Sequence, residues 1–227
     1  MADGLQYIRV PVQNHATQSS PASSDPKIGY QSYNMLSLLF PAMLMTLGLT
    51  LAQEAPKCNP AIVGDLDKYY PEGIPQNIVG QLHATGPYSF VSLSLPNALT
   101  LTGDCATCVG FRVSDDKKSV KLTRKMSQGA VSTVFGIAGE EDGVISYLGA
   151  TDVVPKYKIY HLFFKDGVAV TYRCCDECNG SDLNVGIAVA DRLANTAETQ
   201  LALVEAKQFV HKYNLDVNLT KLKLCSA

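Results

Sequence analysis

Tryptophan is absent from the sequence, histidine occurs four times, and the two signs of charge nearly cancel, leaving a formal net charge of −2. The small net charge and the lack of a basic stripe argue against nucleic acid as a partner. No two histidines have the spacing of a metal site, and neither a nucleophile elbow nor a glycine-rich phosphate loop is present. These absences predict a protein that is not an enzyme and that requires no metal and no cofactor.

Composition divides the chain into three parts. Residues 1–34 are rich in serine, proline, glutamine and asparagine without an apolar period, so we expect a disordered N-terminal extension. Residues 35–52 are apolar, uncharged and end in small residues, which predicts a signal peptide cleaved before Gln53. The alternative is a signal anchor, with residues 1–34 as the cytosolic tail of a type II membrane protein. Residues 53–227 have the size of one domain.

All the cysteines follow the apolar run, and they are Cys58, Cys105, Cys108, Cys174, Cys175, Cys178 and Cys225. Behind a secretory signal they are interpreted as disulfide partners. Their odd number leaves one cysteine that is unpaired or linked to another chain. Asn179 and Asn218 begin glycosylation sequons, which agrees with a secreted, extracellular glycoprotein.

Two pairs of cysteines have CxxC spacing, Cys105 with Cys108 and Cys175 with Cys178. A redox CxxC needs a helix N-terminus that lowers the thiol pKa, whereas one of these motifs begins a predicted strand and the other ends one. The stretch between the two motifs is longer than a zinc ribbon usually has. Disulfides are therefore favoured over zinc or redox chemistry.

Eight short runs of strand-forming residues, separated by turn sequences, occupy residues 88–190. The runs are Tyr88–Leu95, Cys108–Val113, Val120–Leu122, Val131–Ala138, Val144–Leu148, Tyr157–Phe164, Val168–Cys174 and Val185–Ala190. Asp166-Gly167 between two of them is a strong hairpin signal. The pattern predicts an antiparallel sandwich or barrel, and a closed barrel of about eight strands has room for one small ligand.

One convincing helix follows the last strand. Asn195-Thr196 predicts its cap, and Glu198 lies in its first turn. The predicted apolar stripe consists of Leu201, Leu203, Val204, Ala206, Phe209 and Val210, with Glu205, Lys207 and Lys212 facing away. We expect this helix to pack on the outside of the barrel, because its polar face is too weakly basic for a membrane-surface helix.

Four short segments resemble the lipocalin family, most closely the branch of apolipoprotein D, the insect bilin-binding proteins and the crustacyanins. They are Gly86-Pro87-Tyr88 in the place of the family's Gly-X-Trp, Gly103-Asp104-Cys105, the hairpin Lys165-Asp166-Gly167, and Arg192 just after the last strand. The resemblance implies an all-β, eight-stranded antiparallel up-and-down barrel with a C-terminal α-helix packed outside it, spanning residues 53–227. The chain departs from the family in two ways: it lacks the tryptophan, and it carries extra sequence between Cys58 and Gly86.

The resemblance also implies structural roles for particular residues. Gly86, Tyr88 and Arg192 would close one end of the barrel, with the guanidinium over the tyrosine ring in place of the family's Trp–Arg stack. Implied disulfides are Cys58–Cys174 and Cys105–Cys225, and the adjacent Cys175 is an alternative to Cys174 in the first pair. Cys108 and Cys178 could form a third pair, which would leave Cys175 over.

The expected function is to carry or sequester a small hydrophobic ligand, such as biliverdin, a retinoid or carotenoid, a fatty acid or a sterol. Candidate wall residues are Phe111, Tyr147, Tyr157, His161, Phe163 and Tyr172, although alternation alone does not tell the inner face of a strand from the outer face. His161 is either a hydrogen-bonded barrel residue or a contact for the ligand's polar end.

Two rival functions use the same chain differently. One is a secreted protein–protein effector or inhibitor with a filled barrel, whose loops bind the partner. The other is an enzyme with the unpaired cysteine as nucleophile, which lacks a visible base. Further partners considered are a cell-surface receptor, a second copy of the chain and a disulfide-linked chain.

Overall fold

The computed structural model describes residues 56–95, 105–148, 157–180 and 183–225. The predicted extension at 1–34 and the predicted signal at 35–52 lie outside the described residues, as does Gly103-Asp104. Asn179 and Asn218 are both described and exposed, as a glycosylation site requires.

Eight strands form in the order in which the alternating runs predict them. Their bounds are β1 Tyr88–Ser94, β2 Cys108–Val113, β3 Ser119–Met126, β4 Gly129–Glu141, β5 Val144–Leu148, β6 Tyr157–Lys165, β7 Val168–Cys174 and β8 Val185–Ala190. Most agree with the predicted runs to within a residue, whereas β3 and β4 extend further as a long hairpin.

The strands close into a barrel. Each pairs antiparallel with the next, β8 pairs with β1, and β1 pairs with β2. The β1–β2 contact is short, with Tyr88 opposite Phe111 and Ser89 opposite Gly110. Beyond it, β1 pairs with a ninth strand that the sequence did not predict, β9 at Leu219–Lys221. The predicted eight-stranded antiparallel up-and-down barrel is confirmed.

Tight turns fix the register at one end of the barrel. The β6–β7 hairpin turns at Asp166-Gly167, and both residues have positive φ, 47° and 76°. The β4–β5 hairpin turns in the same way at Asp142-Gly143. Two-residue turns of this kind match the right-handed twist of the strands, so the Asp-Gly signal predicts the hairpin correctly.

The predicted C-terminal helix is present as α3, Ala197–Lys212, and lies against β6, β7 and β8. The Thr196 side chain accepts a hydrogen bond from the backbone of Thr199, as an N-cap does. In turn, the Thr199 hydroxyl donates to the carbonyl of Asp166 at 2.7 Å, which attaches the helix to the β6–β7 turn.

The face that α3 buries differs from the predicted stripe. Its buried residues are Thr199, Ala202, Ala206 and Val210. Leu201 and Val204, which were predicted to face the barrel, are 61% and 49% exposed. Small side chains allow the helix to approach the strands closely, and this close approach determines the rotation of the helix.

Two short α-helices precede the barrel, α1 at Pro60–Val63 and α2 at Ile78–Thr85, with a 3₁₀ helix at Asp67–Tyr69 between them. The carboxylate of Glu140, near the end of β4, accepts hydrogen bonds from the backbone N–H groups of Ile78 and Val79 at the start of α2. An anionic acceptor at this position also interacts favourably with the helix dipole. Glu140 therefore holds α2 against the end of the barrel where the tight turns lie, which we call the closed end.

The apolar residues form two layers separated by the sheet. The inner layer joins the barrel interior to α2, and its most buried members include Ile78, Leu82, Tyr88 and Ile145. The outer layer lies between the sheet and α3 together with the N-terminal segment, and it includes Leu162, Ile187 and Ala206. The closed end is thus filled by side chains, and the helix covers the opposite surface of the same strands.

Three disulfides join the described cysteines. Cys58–Cys174 attaches the N-terminal segment to β7, as the resemblance implies. The other two are Cys108–Cys225 and Cys175–Cys178, and Cys105 is free and exposed.

The expected pairs Cys105–Cys225 and Cys108–Cys178 are therefore wrong. Cys108 lies within β2, beside the strand against which the C-terminal tail runs, and the backbone of Cys225 donates to the Ser89 hydroxyl in β1. Cys105 lies ahead of β2, outside this register. Cys175 and Cys178 are three residues apart, so their turn brings the two sulfurs together.

Tyr88 and Arg192 lie at the closed end but not on each other. The Tyr88 ring stacks on Phe111 at 5.1 Å between centroids, and its hydroxyl bonds the Thr85 hydroxyl. Arg192 donates to the carbonyl of Ala84 at 2.6 Å. The expected cation–ring contact is wrong: the Arg192 guanidinium binds the end of α2 instead, and the ring that stacks on Tyr88 is Phe111, opposite it across β1–β2.

Candidate ligand-binding site

A cavity of about 90 Å³ lies inside the barrel. Its apolar wall comes from Phe90, Leu93, Val109, Phe111, Val120, Leu122, Phe135, Tyr147, Tyr157 and Ile159, and its polar wall from Arg124, His161, Thr171, Arg173 and Asn184, with Gly186 beside them. All eight barrel strands contribute residues to this wall, so the cavity is a product of barrel closure and not of a single loop.

Gly186 provides part of the interior space. A Cβ atom at this position would lie 2.6 Å from a ring carbon of Phe90, closer than the two atoms can approach. Glycine in β8 therefore lets the Phe90 ring lie across the strand on the inner wall.

The structure places four of the six predicted wall residues on the cavity: Phe111, Tyr147, Tyr157 and His161. Tyr147 and Phe135 meet edge to face with centroids 6.4 Å apart, and Phe135 meets Tyr157 in the same way at 6.5 Å. These rings form a continuous aromatic wall across β4, β5 and β6.

Phe163 and Tyr172 are not on the cavity and face the outer layer. In β6 the register shifts between His161 and Phe163, which marks a β-bulge at Leu162. The extra residue turns Phe163 outward to meet Phe209 of α3 at 5.8 Å, and Phe164 takes the inner position beside His161.

Tyr172 faces outward because Thr171 and Arg173, its neighbours in β7, face inward. Its hydroxyl accepts a hydrogen bond from the backbone of Asn59 at 3.2 Å. The prediction that Tyr172 lines the cavity is therefore wrong, because its side chain contacts the N-terminal segment on the outside of the barrel instead.

His161 is 2% exposed, and its Nδ1 has no hydrogen-bond partner among the described residues. Burial lowers the pKa of its imidazole to about 4, so the ring is neutral at physiological pH. His161 lies on the cavity wall, where a neutral imidazole can offer a hydrogen bond to a bound molecule.

Arg124 from β3 and Arg173 from β7 supply positive charge to the cavity wall, and sequence reasoning did not single out either one. The guanidinium carbon of Arg173 lies 4.7 Å from the centroid of the Tyr157 ring. Its Nε is buried and has no hydrogen-bond partner among the described residues. The sequence did contain one indication of this site, because the charged residue Arg173 lies within the otherwise mainly apolar strand Val168–Cys174.

The polar and apolar parts of the wall occupy different depths. Arg124 precedes the β3–β4 turn, and Arg173 and Asn184 flank the connection from β7 to β8, all at the end of the barrel opposite α2. We call this the open end. The aromatic and aliphatic residues reach from there to the filled closed end, so the cavity has one apolar end and one cationic end.

Within the described residues, no group of three or more histidine, cysteine, aspartate or glutamate side chains is arranged to hold a metal ion.

Among the helices of the described part of the chain, none is long and apolar enough to cross a membrane.

Comparison with known proteins gives likeness only among solved structures. No protein-family model matches the chain, and no curated protein does. The bovine lipocalin allergen Bos d 2 is similar at 13% identity and a TM-score of 0.40, over 60% of this chain and 89% of that one. A siderocalin, Ex-FABP, is similar at 16% identity and a TM-score of 0.41, over 60% and 91%. A dog lipocalin allergen is similar at 12% identity and a TM-score of 0.41, over 60% and 91%.

Proposed function

We propose that this protein is a lipocalin-type carrier that binds a small hydrophobic molecule inside its barrel and transports or sequesters it. The observation that carries the proposal is the cavity of about 90 Å³, lined mostly by aromatic and aliphatic side chains. Binding sites for small molecules are typically concave and apolar, with a few polar groups that fix orientation.

The barrel supports such binding by being formed in advance. Strand pairing closes the wall, α2 and the inner apolar layer fill the closed end, and disulfides attach both ends of the described chain to strands. A ligand that enters this cavity gains burial of apolar surface without the protein having to order itself first.

An extracellular location agrees with the disulfides, which form and persist in oxidising compartments. We propose that residues 35–52 direct secretion and that Asn179 and Asn218 carry glycans. The rival, a type II membrane anchor through 35–52, predicts that the intact apolar run stays on the mature protein. N-terminal sequencing of the mature protein separates the two, because cleavage before Gln53 removes the run.

The small size of the cavity favours one alternative function, a protein–protein effector with a largely filled barrel. Pockets for drug-sized molecules enclose roughly 300 Å³ or more, above the value found here. A tetrapyrrole such as biliverdin fits this volume poorly, whereas a slim aliphatic chain fits it better.

Native mass spectrometry of the purified protein, with titration of decan-1-ol as a neutral apolar ligand, tests the carrier proposal. We expect retained ligand or decanol binding, and we expect Ile159→Phe to weaken binding roughly tenfold, since small steric changes in apolar pockets have effects of that order. Val134→Phe is the matched control, because Val134 lies on the same barrel with its side chain 54% exposed.

Failure of the wild-type protein to bind decanol or to retain any small molecule would favour the effector. Equal weakening by the control substitution would show that binding occurs outside the cavity.

A further inference from the structure

The C-terminal tail lies along the seam between β1 and β2 in the open half of the barrel. β1 and β2 pair at two positions near the closed end, and from there β1 pairs with β9 instead. Past β9, the N–H of Leu222 donates to the carbonyl of Val91 in β1 at 3.1 Å, and the N–H of Lys223 donates to the carbonyl of Thr107, just before β2, at 3.2 Å. Residues 219–225, which we call the strap, therefore contact both sides of the seam.

One disulfide fixes the end of the strap. Cys225 is bonded to Cys108 in β2. A Cβ atom at Gly110 would lie 3.2 Å from the sulfur of Cys225, so the glycine leaves room for the disulfide against β2. The backbone N–H of Cys225 donates to the Ser89 hydroxyl at 2.9 Å, and its carbonyl accepts from the Lys125 ammonium at 2.8 Å. The disulfide is thus the covalent part of an attachment whose other contacts are hydrogen bonds.

A free thiol lies three residues from that disulfide. Cys105 is free and exposed, and the chain bends at Thr107, between it and Cys108. The same spacing closes into a disulfide elsewhere in this chain, since Cys175 and Cys178 are bonded with their Cα atoms 5.3 Å apart. A bond between Cys105 and Cys108 is therefore within reach of the backbone.

We propose that Cys105 attacks the Cys108–Cys225 disulfide and thereby releases the strap. The Cys105 thiolate attacks the sulfur of Cys108, the Cys108–Cys225 bond breaks, and Cys225 leaves as a thiolate that takes up a proton. The proton of the Cys105 thiol goes to solvent. One disulfide and one thiol are present before and after the exchange, so it consumes no oxidant and no reductant.

The burial of the two bonded sulfurs determines the direction of the attack. Attack on Cys108 expels Cys225, which is half-buried, so the leaving thiolate is partly hydrated. Attack on Cys225 would expel Cys108, which is 4% exposed, and would leave its thiolate within the sheet. Burial disfavours the charged leaving group. The exchange therefore forms Cys105–Cys108 and frees Cys225, and does not form a Cys105–Cys225 bond.

Release of the strap loosens the barrel wall at the seam. Leu93 of β1 and Val109 of β2 line the cavity on either side of it, and Leu222 of the strap packs against the inner apolar layer. Without the disulfide, the strap opens by breaking hydrogen bonds and this packing alone. The device thus adds a thiol-controlled opening to the barrel, and its chemistry does not depend on the proposed carrier function.

Thiol labelling of the full chain without reductant tests the exchange. The protein is held at about pH 8, where thiols begin to ionise, for increasing times before alkylation with N-ethylmaleimide and non-reducing peptide mapping. We expect the label on Cys105 at first and on Cys225 with time, together with a peptide that contains a Cys105–Cys108 bond. The rate should be several-fold lower at about pH 7, because the thiolate is the nucleophile.

The matched control is the double variant Cys105→Ser with Asp115→Cys. It keeps one exposed thiol but moves it to the other end of β2, where the Asp115 side chain is 90% exposed. Cys225 should stay unlabelled in this variant.

Cys225→Ser tests the new bond and the release of the strap together. Oxidised glutathione should close Cys105–Cys108 in the folded variant. The amides of Leu222 and Lys223 should exchange their hydrogens roughly tenfold faster than in the wild type, because local opening is no longer restrained by the disulfide.

Label that stays on Cys105 at all times, or that moves to Cys108 instead of Cys225, overturns the inference. Labelling of Cys225 in the control at the wild-type rate also overturns it, because that result shows exchange between molecules. Where the control does not fold by circular dichroism, the wild-type rate at several protein concentrations decides: exchange within one molecule is independent of concentration, and a rate proportional to concentration overturns the inference. None of these readouts involves a ligand, so each leaves the carrier proposal unchanged.

Discussion

Among single residues, His161 combines deep burial with an unsatisfied ring nitrogen. The charged side chains on the cavity wall around it are Arg124 and Arg173, both cations, which oppose a further positive charge. The hydroxyl of Tyr70 donates to the carbonyl of His161 and leaves its imidazole untouched. Burial therefore holds the ring in its neutral form, against a backbone hydrogen bond with Gly143 that favours the charged form.

Protonation of His161 should couple stability to pH. Its pKa is lowered from 6.5 to about 4 by burial, so between these values the unfolded chain binds a proton that the folded chain does not. The free energy of unfolding should fall by about 3 kcal/mol as the pH is lowered through this window, and this contribution stops changing below it. Urea unfolding at a series of pH values measures the slope.

His161→Gln should flatten this dependence. His211→Gln is the control, because that imidazole is exposed and pairs with Asp216. A variant at position 161 with the wild-type slope would assign the pH dependence to other groups.

Residue-level prediction from the sequence succeeds where strands are regular. Alternation correctly groups Tyr157, Ile159 and His161 on one face. It fails at Phe163, because the bulge at Leu162 arises from the pairing of β6 with β7 and has no local sequence signal. Strand β7 is buried on both faces, so the alternation of apolar and polar residues could not show that Tyr172 faces the outer layer and not the cavity.

At the scale of elements, α3 shows how close packing governs orientation. Its contact face carries Ala202 and Ala206, each fully buried, against β6, β7 and β8. Lys165 in β6 pairs with Glu205 at 2.9 Å along the edge of the contact. The pair is partly exposed, so we assign the stability of the contact mainly to apolar packing.

Enlarging the helix contact should destabilise the protein. Ala206→Leu is expected to lower the free energy of unfolding by about 1–3 kcal/mol, because the added atoms have no space between the helix and the sheet. Leu201→Ser, on the exposed side of the same helix, should change it by less than about 0.5 kcal/mol. Chemical denaturation of the two variants checks the rotation of α3, and the reverse order of effects would contradict it.

The sequence predicts the start of α3 but not its buried face, because Leu201 and Val204 extend the apolar pattern beyond the small residues that make contact. Helix α2 was not predicted at all. The carboxylate that binds its first N–H groups comes from Glu140, about sixty residues further along the chain, and Asn77 before it has a positive φ of 54° and no side-chain cap. When the acceptor for the first N–H groups of a helix comes from a distant strand, the helix needs no capping residue of its own, and the local sequence does not show where it begins.

For the whole molecule, the Cys108–Cys225 disulfide should contribute a large part of the stability. It closes a loop with a sequence separation of 117, and in the chain-entropy model such a cross-link stabilises by about 5 kcal/mol. The double substitution Cys108→Ser with Cys225→Ser should lower the free energy of unfolding by that order, measured in urea.

Cys105→Ser tests the pairing at a site three residues away and should leave stability unchanged, since Cys105 is free and exposed. Non-reducing peptide mapping should recover Cys108 linked to Cys225. A fragment joining Cys105 to Cys225 would contradict the structure and restore the pairing that the resemblance implied.

The barrel as a whole could be predicted from eight alternating runs joined by tight turns. Few other arrangements of these strands pair the backbone N–H and C=O groups at the sheet edges. The ninth strand could not, since Leu219–Lys221 is three residues long and forms only against the free half of β1. The cationic end of the cavity also escaped prediction, because Arg124 and Arg173 lie far apart in sequence and line the same cavity only once the sheet has closed.

The two long disulfides interleave along the chain, since Cys108 lies within the Cys58–Cys174 loop and Cys225 lies beyond it. Any single backbone cut between Cys58 and Cys225 therefore leaves both fragments covalently joined, and a cut between Cys108 and Cys174 leaves them joined twice. A protease that nicks one exposed turn would release no piece of the barrel. The cleaved protein would keep its size until a reductant separated the fragments.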